Sequence, residues 1–350
     1  MQFPVRTTLV VASLAALGSI AFADKDSRYE VDNLVSDIPG LAPITDPNLV
    51  NPWGIALNPA GGAFWVSNQG TGTSTLYNGG FGAVPFAKVA LVVSIPGGNP
   101  TGQVFNGSND FQVTNGTTTA RAFFITSSLS GVIAGWSPTV APNTTAKVGI
   151  TMGGAVYTGL AIGNDGTRNL LYAANIGQNS VDVFDATYTP TSVPGMFLDS
   201  HLPVGFRPFN VQAIGTSLFV TYTNPAMGDV EGNGVVNEFD MNGHLIRRFS
   251  NTDSLVQPWA VVKAPAGFGT FSNSILIGNF GNGRIHGFRI SDGKKLGALK
   301  RNHGGPIEIE RLWDLKFGNG VSAGSTDDLY FSAGIFEETH GLFGEIELDD

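Results

Sequence analysis

The chain has 350 residues, a net charge of −9 and no cysteine. Only 13% of its residues are charged and 47 are glycine, which excludes a disordered chain and a long helical bundle, because disorder requires charge and helices tolerate glycine poorly. The acidic balance argues against nucleic acid and anionic membranes as partners, and the lack of cysteine excludes disulfides, thiolate metal sites and cysteine nucleophiles.

The first 23 residues have the pattern of a secretory signal peptide. Arg6 precedes an apolar run over residues 7–22, and Ala21-Phe22-Ala23 is typical of a cleavage site. A membrane anchor is the alternative, but the run is shorter than the roughly 20 residues that span a bilayer. No second run is long enough to span one. We therefore expect a secreted, extracellular protein whose mature part is residues 24–350.

One pattern recurs six times along the mature chain: an inner strand, a strand that often ends in Asn, a Gly/Asn turn and a third strand. The copies cover residues 51–79, 109–138, 157–186, 208–243, 257–291 and 311–348. Alignment of their inner strands matches Trp53, Phe111, Thr158, Phe209, Trp259 and Trp313. Repeats of about this length, each with four short strands, are typical of propeller blades. The sequence thus predicts an all-β, six-bladed propeller.

The two chain ends are predicted to meet in the last blade. The last copy ends after its third strand, Gly344–Leu348, and a strand-like segment around Tyr29–Val35 precedes the first copy. That segment would supply the missing fourth strand and remove the open sheet edges. Since no linker divides residues 24–350, we predict a single domain.

The inner strands alternate large and small side chains. In the first, Trp53, Ile55 and Leu57 share one face, and Gly54 and Ala56 share the other. The large row is expected to pack against the small row of the neighbouring blade. Ligand stacking by the tryptophans is the alternative.

Several long segments resemble a family of secreted β-propeller proteins of the NHL/YVTN kind. The resemblance lies in residues 33–59, 64–79, 202–215, 264–288 and 333–347. Some bacterial members carry a C-terminal sorting tail, and the family has no established activity, so the resemblance implies fold and export. No sorting tail follows Asp350, and the fourth-blade insertion, residues 224–234, is shorter than in those relatives.

Histidines and carboxylates of the last blade are expected at the mouth of the central channel. His303 and Arg311 lie in the loop that enters this blade, and Glu337, Glu338 and His340 lie in the turn after its second strand. These two loops should be neighbours. Such residues can bind a divalent metal or supply an acid–base pair. A solvated polar rim is the competing interpretation.

Three further sets of residues are candidates. Asp229, Glu231 and Asn233 offer oxygen ligands at alternate positions before Gly234, which resembles the start of a calcium loop; a polar turn is the alternative. Asn68, Asn175, Asn224 and Asn279 end second strands and either build turns or hold a ligand. His201 and Arg207, in the loop that enters the fourth blade, can also reach the mouth.

No strict catalytic motif is present, so three functions remain open. The first is binding of a glycan, peptide, small molecule or protein at the mouth. The second is a metal-dependent, lactonase-like hydrolase or lyase that uses a divalent ion such as calcium. The third is a structural protein of a cell surface or matrix. N-glycosylation sequons begin at Asn106, Asn115 and Asn143, in turn-like stretches that are expected at the surface and would be glycosylated in a eukaryotic host; chance occurrence in a chain rich in Asn and Thr is the alternative.

Overall fold

A computed structural model of the chain describes residues 27–249 and 252–349. The predicted signal peptide lies outside these residues. Short antiparallel strands dominate the described part, with two 3-10 turns at Thr252–Ser254 and Gly269–Phe271. Within these ranges, none of the helical segments has the length and apolar character needed to cross a bilayer.

Six sheets of four or five strands form the blades, and the predicted six-bladed propeller is confirmed. The described chain opens with β1 (Arg28–Ser36) and β2 (Ile44–Thr45). Blade 1 contains β3 (Pro52–Ala56), β4 (Phe64–Asn68), β5 (Thr73–Asn78) and β6 (Ala87–Ser94). Blade 2 contains β7 (Pro100–Phe105), then an inserted hairpin of β8 (Gln112–Thr114) and β9 (Thr119–Arg121), then β10 (Phe124–Ser128), β11 (Val132–Trp136) and β12 (Lys147–Thr151).

The remaining blades follow the same order. Blade 3 contains β13 (Tyr157–Asn164), β14 (Asn169–Asn175), β15 (Ser180–Phe184) and β16 (Pro190–Thr191). Blade 4 contains β17 (Arg207–Ile214), β18 (Ser217–Thr223), β19 (Val235–Asp240) and β20 (Leu245–Phe249). Blade 5 contains β21 (Pro258–Lys263), β22 (Ile275–Asn279), β23 (Ile285–Phe288) and β24 (Lys295–Ala298). Blade 6 contains β25 (Leu312–Phe317), β26 (Leu329–Ala333), β27 (Leu342–Asp349) and β1.

The ring closes through the N-terminal strand, as predicted. β1 pairs antiparallel with β27 from Arg28↔Asp349 to Ser36↔Leu342. β2 adds a short parallel pairing to the outer side of β1. Both ends of the described chain therefore belong to one sheet.

The predicted inner strand of blade 2 was wrong. The structure places Phe111 just before the inserted hairpin, packed edge-on to Tyr188 at 5.5 Å between ring centroids. The inner strand is β7, whose Thr101 occupies the position of Trp53. The repeat search missed it because threonine replaces the aromatic residue and the hairpin lengthens the connection to β10.

The inner strands approach one another closely around the axis. A Cβ atom on Gly54 would lie 2.7 Å from the Thr101 carbonyl oxygen of blade 2, and one on Gly102 would lie 2.3 Å from the Leu160 nitrogen of blade 3. Glycine is therefore required at these positions for steric reasons. Asp314 is at the same position in blade 6, fully buried, and its Oδ2 accepts the Ile55 N–H of blade 1 at 2.8 Å.

The inner-strand tryptophans pack against each other rather than only against small residues of the next blade. Trp53 of blade 1 stacks on Trp313 of blade 6 with centroids 3.4 Å apart, and Trp259 of blade 5 meets both rings edge-on. Phe209 and Phe280 complete this cluster, which we call the plug. Because its members come from four blades, the plug fills the channel axis at the end where the inner strands begin.

The other end of the channel is hollow. A cavity of about 330 Å³ is lined by inner-strand residues of five blades, among them Ile55, Phe105, Ile162, Ala213 and Lys316. The plug therefore separates this mostly apolar cavity from the mouth.

Candidate functional site

The mouth is formed by the loops that enter the blades and by the turns that follow the second strands. The same backbone hydrogen bond joins these two sets of loops in five blades. In five blades, the residue after the second strand donates its N–H to the residue just before the inner strand. These bonds are Gln69→Asn51 (3.0 Å), Leu129→Asn99 (3.1 Å), Ile176→Val156 (3.1 Å), Phe280→Gln257 (2.9 Å) and Gly334→Arg311 (3.0 Å). The predicted neighbourhood of the two loop sets is thus confirmed.

Arg311 lies over the plug and joins two blades. Its Nη1 donates to Asp229 Oδ2 of blade 4 at 2.7 Å, and its Nη2 donates to Glu337 Oε2 at 2.6 Å. The guanidinium carbon lies 4.9 Å from the centre of the Phe280 ring, within cation–π range. Glu310 Oε1 accepts the Glu337 N–H at 3.0 Å, so both loops are cross-linked.

Glu338 continues this network toward blades 1 and 2. Its Oε2 accepts Asn51 Nδ2 at 3.0 Å, and Asn51 Oδ1 accepts the indole N–H of Trp313 at 2.8 Å. Asn51 also donates to Gln69, which in turn donates to Asn99. Burial raises the pKa of Glu338 above its ordinary value, and the Asn51 hydrogen bond opposes that rise. This carboxylate thus has a different environment from the exposed Glu337.

Six residues of this network have left-handed backbone conformations, two of them being Asn51 and Asn99 at φ of 45° and 49°. Phe336, Glu337 and Glu338 follow one another at φ of 52°, 51° and 65°, and Arg311 has φ of 51°. Each such conformation costs roughly 1–2 kcal/mol for a residue with a side chain. Strain of this kind is concentrated at ligand-binding and catalytic sites.

His340 is oriented by a carboxylate that the sequence analysis missed. Its Nδ1 lies 2.7 Å from Asp37 Oδ2, and the other Asp37 oxygen accepts the Gly341 N–H at 2.8 Å. The imidazole is 43% exposed, so Nε2 remains available to a ligand. Asp37 directly follows the closure strand β1, and only the pairing of β1 with β27 brings it to His340.

His303 is not part of this network. It is exposed in the turn 301–305, whose first residue bridges to Tyr29 at the start of β1. Among the described residues, no contact joins His303 to His340, and these two histidines belong to no group of three metal-ligating side chains. Its catalytic role stays a prediction.

The calcium-loop residues have separate surroundings. Asp229 is bonded to Arg311, and Glu231 is exposed beside a cavity that Arg284, His286 and Lys295 also line. Asn233 is fully buried; its Oδ1 accepts the Asn224 N–H at 2.8 Å and the Thr223 hydroxyl at 3.2 Å. In this arrangement the Asn233 oxygen is engaged in the turn, and calcium binding here stays untested.

The strand-ending asparagines are mostly buried and bond to their own turns. Asn68 donates to Thr73 and Thr75, and Asn175 Oδ1 accepts the Val156 and Gln178 N–H groups. Asn279 donates to Ser254 O at 2.8 Å. Asn224 is half-buried, and its Oδ1 accepts the Ala226 N–H at 3.1 Å. These bonds are those expected of turn residues, and a ligand-binding role is not tested.

Of the two candidates in the loop that enters blade 4, Arg207 reaches the mouth. Its Nη1 donates to the carbonyl oxygen of Ile176, a residue packed against the plug, at 3.2 Å. The His201 side chain is 87% exposed, and its Nδ1 lies 4.0 Å from Asp199. Asp199 is held mainly by Arg248 and by Asn237.

A second concave site lies beside the same loop. A cavity of about 570 Å³ is lined by β15 residues, by Met196 and Leu198 of the loop, and by Tyr222 of β18. Met196 and Leu198 are more than half exposed. No sequence pattern indicated this cavity, because it arises from the packing of the loop against blades 3 and 4.

The sequons differ in accessibility. Asn106 is fully buried, and its Nδ2 donates to the Asp110 and Ala122 carbonyls at 2.9 Å each. The expected surface position of Asn106 is therefore wrong, because its side chain is fully buried. Asn115 and Asn143 are exposed.

Solved structures that align with this chain are propellers of low sequence identity. A PQQ-bound aldose sugar dehydrogenase from Streptomyces coelicolor aligns with 15% identity and a TM-score of 0.49, covering 92% of this chain and 99% of that one. A virginiamycin B lyase from Staphylococcus aureus aligns with 11% identity and a TM-score of 0.48, covering 93% and 100%. Neither likeness bears on the activity of this chain.

Sequence comparison shows relatives over most of the chain, although no family model matches it. An uncharacterized protein of Acanthamoeba polyphaga mimivirus is 32% identical over 339 residues, which cover 91% of this chain and 80% of that protein. A second uncharacterized mimivirus protein is 30% identical over 343 residues, covering 92% and 87%. The chain therefore belongs to the same protein family as these two mimivirus proteins.

Proposed function

We propose that this chain is an exported β-propeller that binds a ligand rich in hydrogen-bond donors at the mouth. The observation that carries the proposal is the run of three left-handed residues, Phe336–Glu338, that holds two carboxylates beside Arg311. A turn that served only to connect strands would gain stability from glycine at these positions. Export is supported by the signal-like pattern of residues 1–23.

The charges at the mouth support a ligand that carries amino or hydroxyl groups. Asp229, Glu310, Glu337 and Glu338 supply carboxylates, whereas Arg311 already donates to two of them. Phe336 is 57% exposed beside His340, with ring centroids 5.7 Å apart. Carboxylate acceptors next to an exposed aromatic ring can bind a glycan, a basic peptide or a small amine.

A binding screen tests this proposal. Residues 24–350 would be applied to glycan arrays and to arrays of basic and neutral peptides, and hits would be measured by calorimetry. We expect Glu337→Gln and Glu338→Gln each to weaken binding at least tenfold, because they remove charged acceptors. Asp292→Asn, in an exposed turn away from the mouth, is the matched control. Equal loss in the control, or hits that survive both mouth variants, would refute the site.

Acid–base catalysis is the second candidate, and the His340–Asp37 pair favours it. A carboxylate on Nδ1 fixes the tautomer and the ring orientation of a histidine, as in many hydrolases and lyases. Lactone and ester substrates would be screened with the same protein. His340→Ala would abolish turnover, and Asp37→Asn would lower kcat because the imidazole loses the partner that orients it. Turnover unchanged in both variants would remove this candidate.

Export is tested separately from binding. The full chain would be expressed in a secreting host, and the product in the medium would be sequenced from its N-terminus. Cleavage after Ala23 predicts a first residue of Asp24. Retention of the intact chain in the cell would contradict export without affecting the proposed mouth site.

A further inference from the structure

The hollow end of the channel, opposite the mouth, is apolar except for three side chains. We call this space of about 330 Å³ the axial cavity. Its polar lining residues are Gln103 of blade 2, Gln212 of blade 4 and Lys316 of blade 6. An apolar hollow with a few polar groups is the common form of a small-molecule site, and such sites have volumes of about 300–1,000 Å³. The apolar walls include Ile55, Leu57, Val104, Phe105, Ala161 and Ile162.

The three polar side chains occupy positions of the repeat that are apolar in most other blades. Gln103 lies two residues after Thr101, the residue that aligns with Trp53. The residues at this position in the other blades are Ile55, Leu160, Val211, Val261 and Leu315. At the next position, Gln212 and Lys316 replace an apolar residue, which in the other blades is Ala56, Val104, Ala161 or Val262. The packing of the blades therefore does not require an amide or an ammonium group at these places.

Lys316 is the one charged residue among the described residues that line the axial cavity. It is half-buried, and within the described ranges it forms no salt bridge. Its charge acts on the Asp314 carboxyl, but the two oxygens of that carboxyl already accept the N–H groups of Ile55 and Leu315. Removal of a charge from water without a partner is unfavourable. An anion in the axial cavity would supply such a partner.

The two glutamines add hydrogen-bond donors to the same cavity. Gln103 is only 6% exposed, and its Oε1 accepts the hydroxyls of Ser67 at 2.8 Å and Ser74 at 3.1 Å. These bonds orient the amide, and no hydrogen bond within the described part of the chain uses its Nε2. Gln212 is half-buried, and its side chain likewise has no hydrogen-bond partner there. Buried amides are normally bonded, so an acceptor in the cavity would complete both.

We propose that the axial cavity binds a small carboxylic acid with an apolar chain. The carboxylate would lie on the Lys316 ammonium group and accept from Gln103 and Gln212, while the chain packs against Ile55 and Phe105. One charge and two acceptor oxygens match one ammonium group and two amides, and hydrogen bonds between charged groups are the strong ones. Because the plug lies between this cavity and the mouth, the proposal does not rest on the proposed function.

Calorimetric titration of residues 24–350 with straight-chain carboxylates tests the proposal. Hexanoate, octanoate and decanoate are the probes, and decyltrimethylammonium is the cation of matched chain length. We expect one carboxylate per chain. Each added methylene should increase the affinity about fourfold, which corresponds to about 0.8 kcal/mol, until the chain fills the cavity. The cation should bind at least tenfold more weakly than decanoate.

Variants of the polar residues assign the binding to the axial cavity. Lys316→Met keeps the apolar stem without the charge, so it should weaken decanoate binding at least tenfold and remove the preference over the cation. Lys316→Arg keeps the charge and should retain binding, and Gln212→Leu should weaken it about three- to tenfold. Thermal unfolding of each variant shows that it folds.

Two controls separate this site from other positive charge and from the mouth. Lys263→Met removes an exposed lysine at the end of the inner strand of blade 5, and Glu337→Gln changes a mouth carboxylate; both should bind decanoate as the wild type does. Absence of carboxylate binding in the wild type would overturn the proposal. Wild-type affinity in both Lys316→Met and Gln212→Leu, or equal losses in Lys316→Met and Lys263→Met, would also overturn it.

Discussion

The carboxylate of Asp314 in the last blade accepts the backbone N–H of Ile55 in the first blade at 2.8 Å. Its other oxygen accepts the Leu315 N–H at 2.8 Å, so one buried side chain satisfies two buried donors. Burial raises the pKa of this carboxyl, while Lys316 and the two N–H groups oppose the rise. This contact is a second link across the ring closure, on the axis side of blade 6.

Removal of the Asp314 carboxylate should destabilise the ring. Asp314→Ala leaves the Ile55 and Leu315 N–H groups without acceptors, and each orphaned donor costs roughly 1–3 kcal/mol. We expect a loss of about 2–4 kcal/mol in the free energy of unfolding, measured in urea. Asp292→Ala, in an exposed turn, is the control. Wild-type stability of Asp314→Ala would mean that burial of the carboxylate costs as much as its hydrogen bonds contribute.

Glycine is required where the first two inner strands meet. In Gly54→Ala the new Cβ would lie 2.7 Å from the Thr101 oxygen and 2.8 Å from the Gln103 nitrogen, both backbone atoms. Overpacking against backbone costs about 1–3 kcal/mol or more, so we expect a large drop in Tm. Gly153→Ala, where no atom lies within 4 Å, should leave Tm nearly unchanged. Similar Tm values for the two variants would contradict the close approach of the blades.

The fold was largely predictable because strand periodicity and turn residues are local properties. The same reasoning predicted the closure of β1 on β27, which required only a count of strands. It failed at Phe111, where a hairpin insertion and the exchange of tryptophan for Thr101 removed the local signal. It also could not predict that Trp53, Trp259 and Trp313 meet on the axis, since that depends on the radius of the ring.

The site was predictable as a set of loops but not as a set of contacts. Loop order alone indicated that Arg311 and Glu337 are neighbours. The partner of His340 was missed because Asp37 is about 300 residues away in sequence. The polar side chains of the axial cavity were missed because they converge only when the inner strands form a ring.

A variant that relieves backbone strain at the mouth should keep its stability but lose ligand binding. Glu337→Gly removes a left-handed conformation that costs roughly 1–2 kcal/mol, while the exposed ion pair with Arg311 contributes only about 0–1 kcal/mol. We expect this variant to unfold at the same or a higher urea concentration than the wild type and to lose ligand binding. Asn273→Gly, at φ of 58° in a loop at the opposite end, should be equally stable and bind normally. A clear loss of stability in Glu337→Gly would contradict the strain argument.

The stability of the propeller should decrease below pH 6.5 because of His286. This side chain is 5% exposed, and burial, with the charges of Lys295 and Arg284, lowers its pKa to about 4. The unfolded chain binds a proton near pH 6.5, so the stabilisation is complete above that pH and is lost as the pH falls toward 4. The full effect is about 3 kcal/mol.

Comparison with His286→Gln isolates this contribution. Free energies of unfolding measured in urea at pH 4, 5, 6 and 7 should decrease more steeply in the wild type than in the variant. Acidic residues titrate in the same range, but they are common to both proteins. Parallel pH profiles would show that folding does not lower the pKa of His286.

Because Arg28 pairs with Asp349, the contact that completes blade 6 spans almost the entire chain. During synthesis, β1 cannot join its sheet until β27 has been made. Contacts between residues so distant in sequence form slowly. If the chain is exported as proposed, its ring can therefore close only after β27 has crossed the membrane.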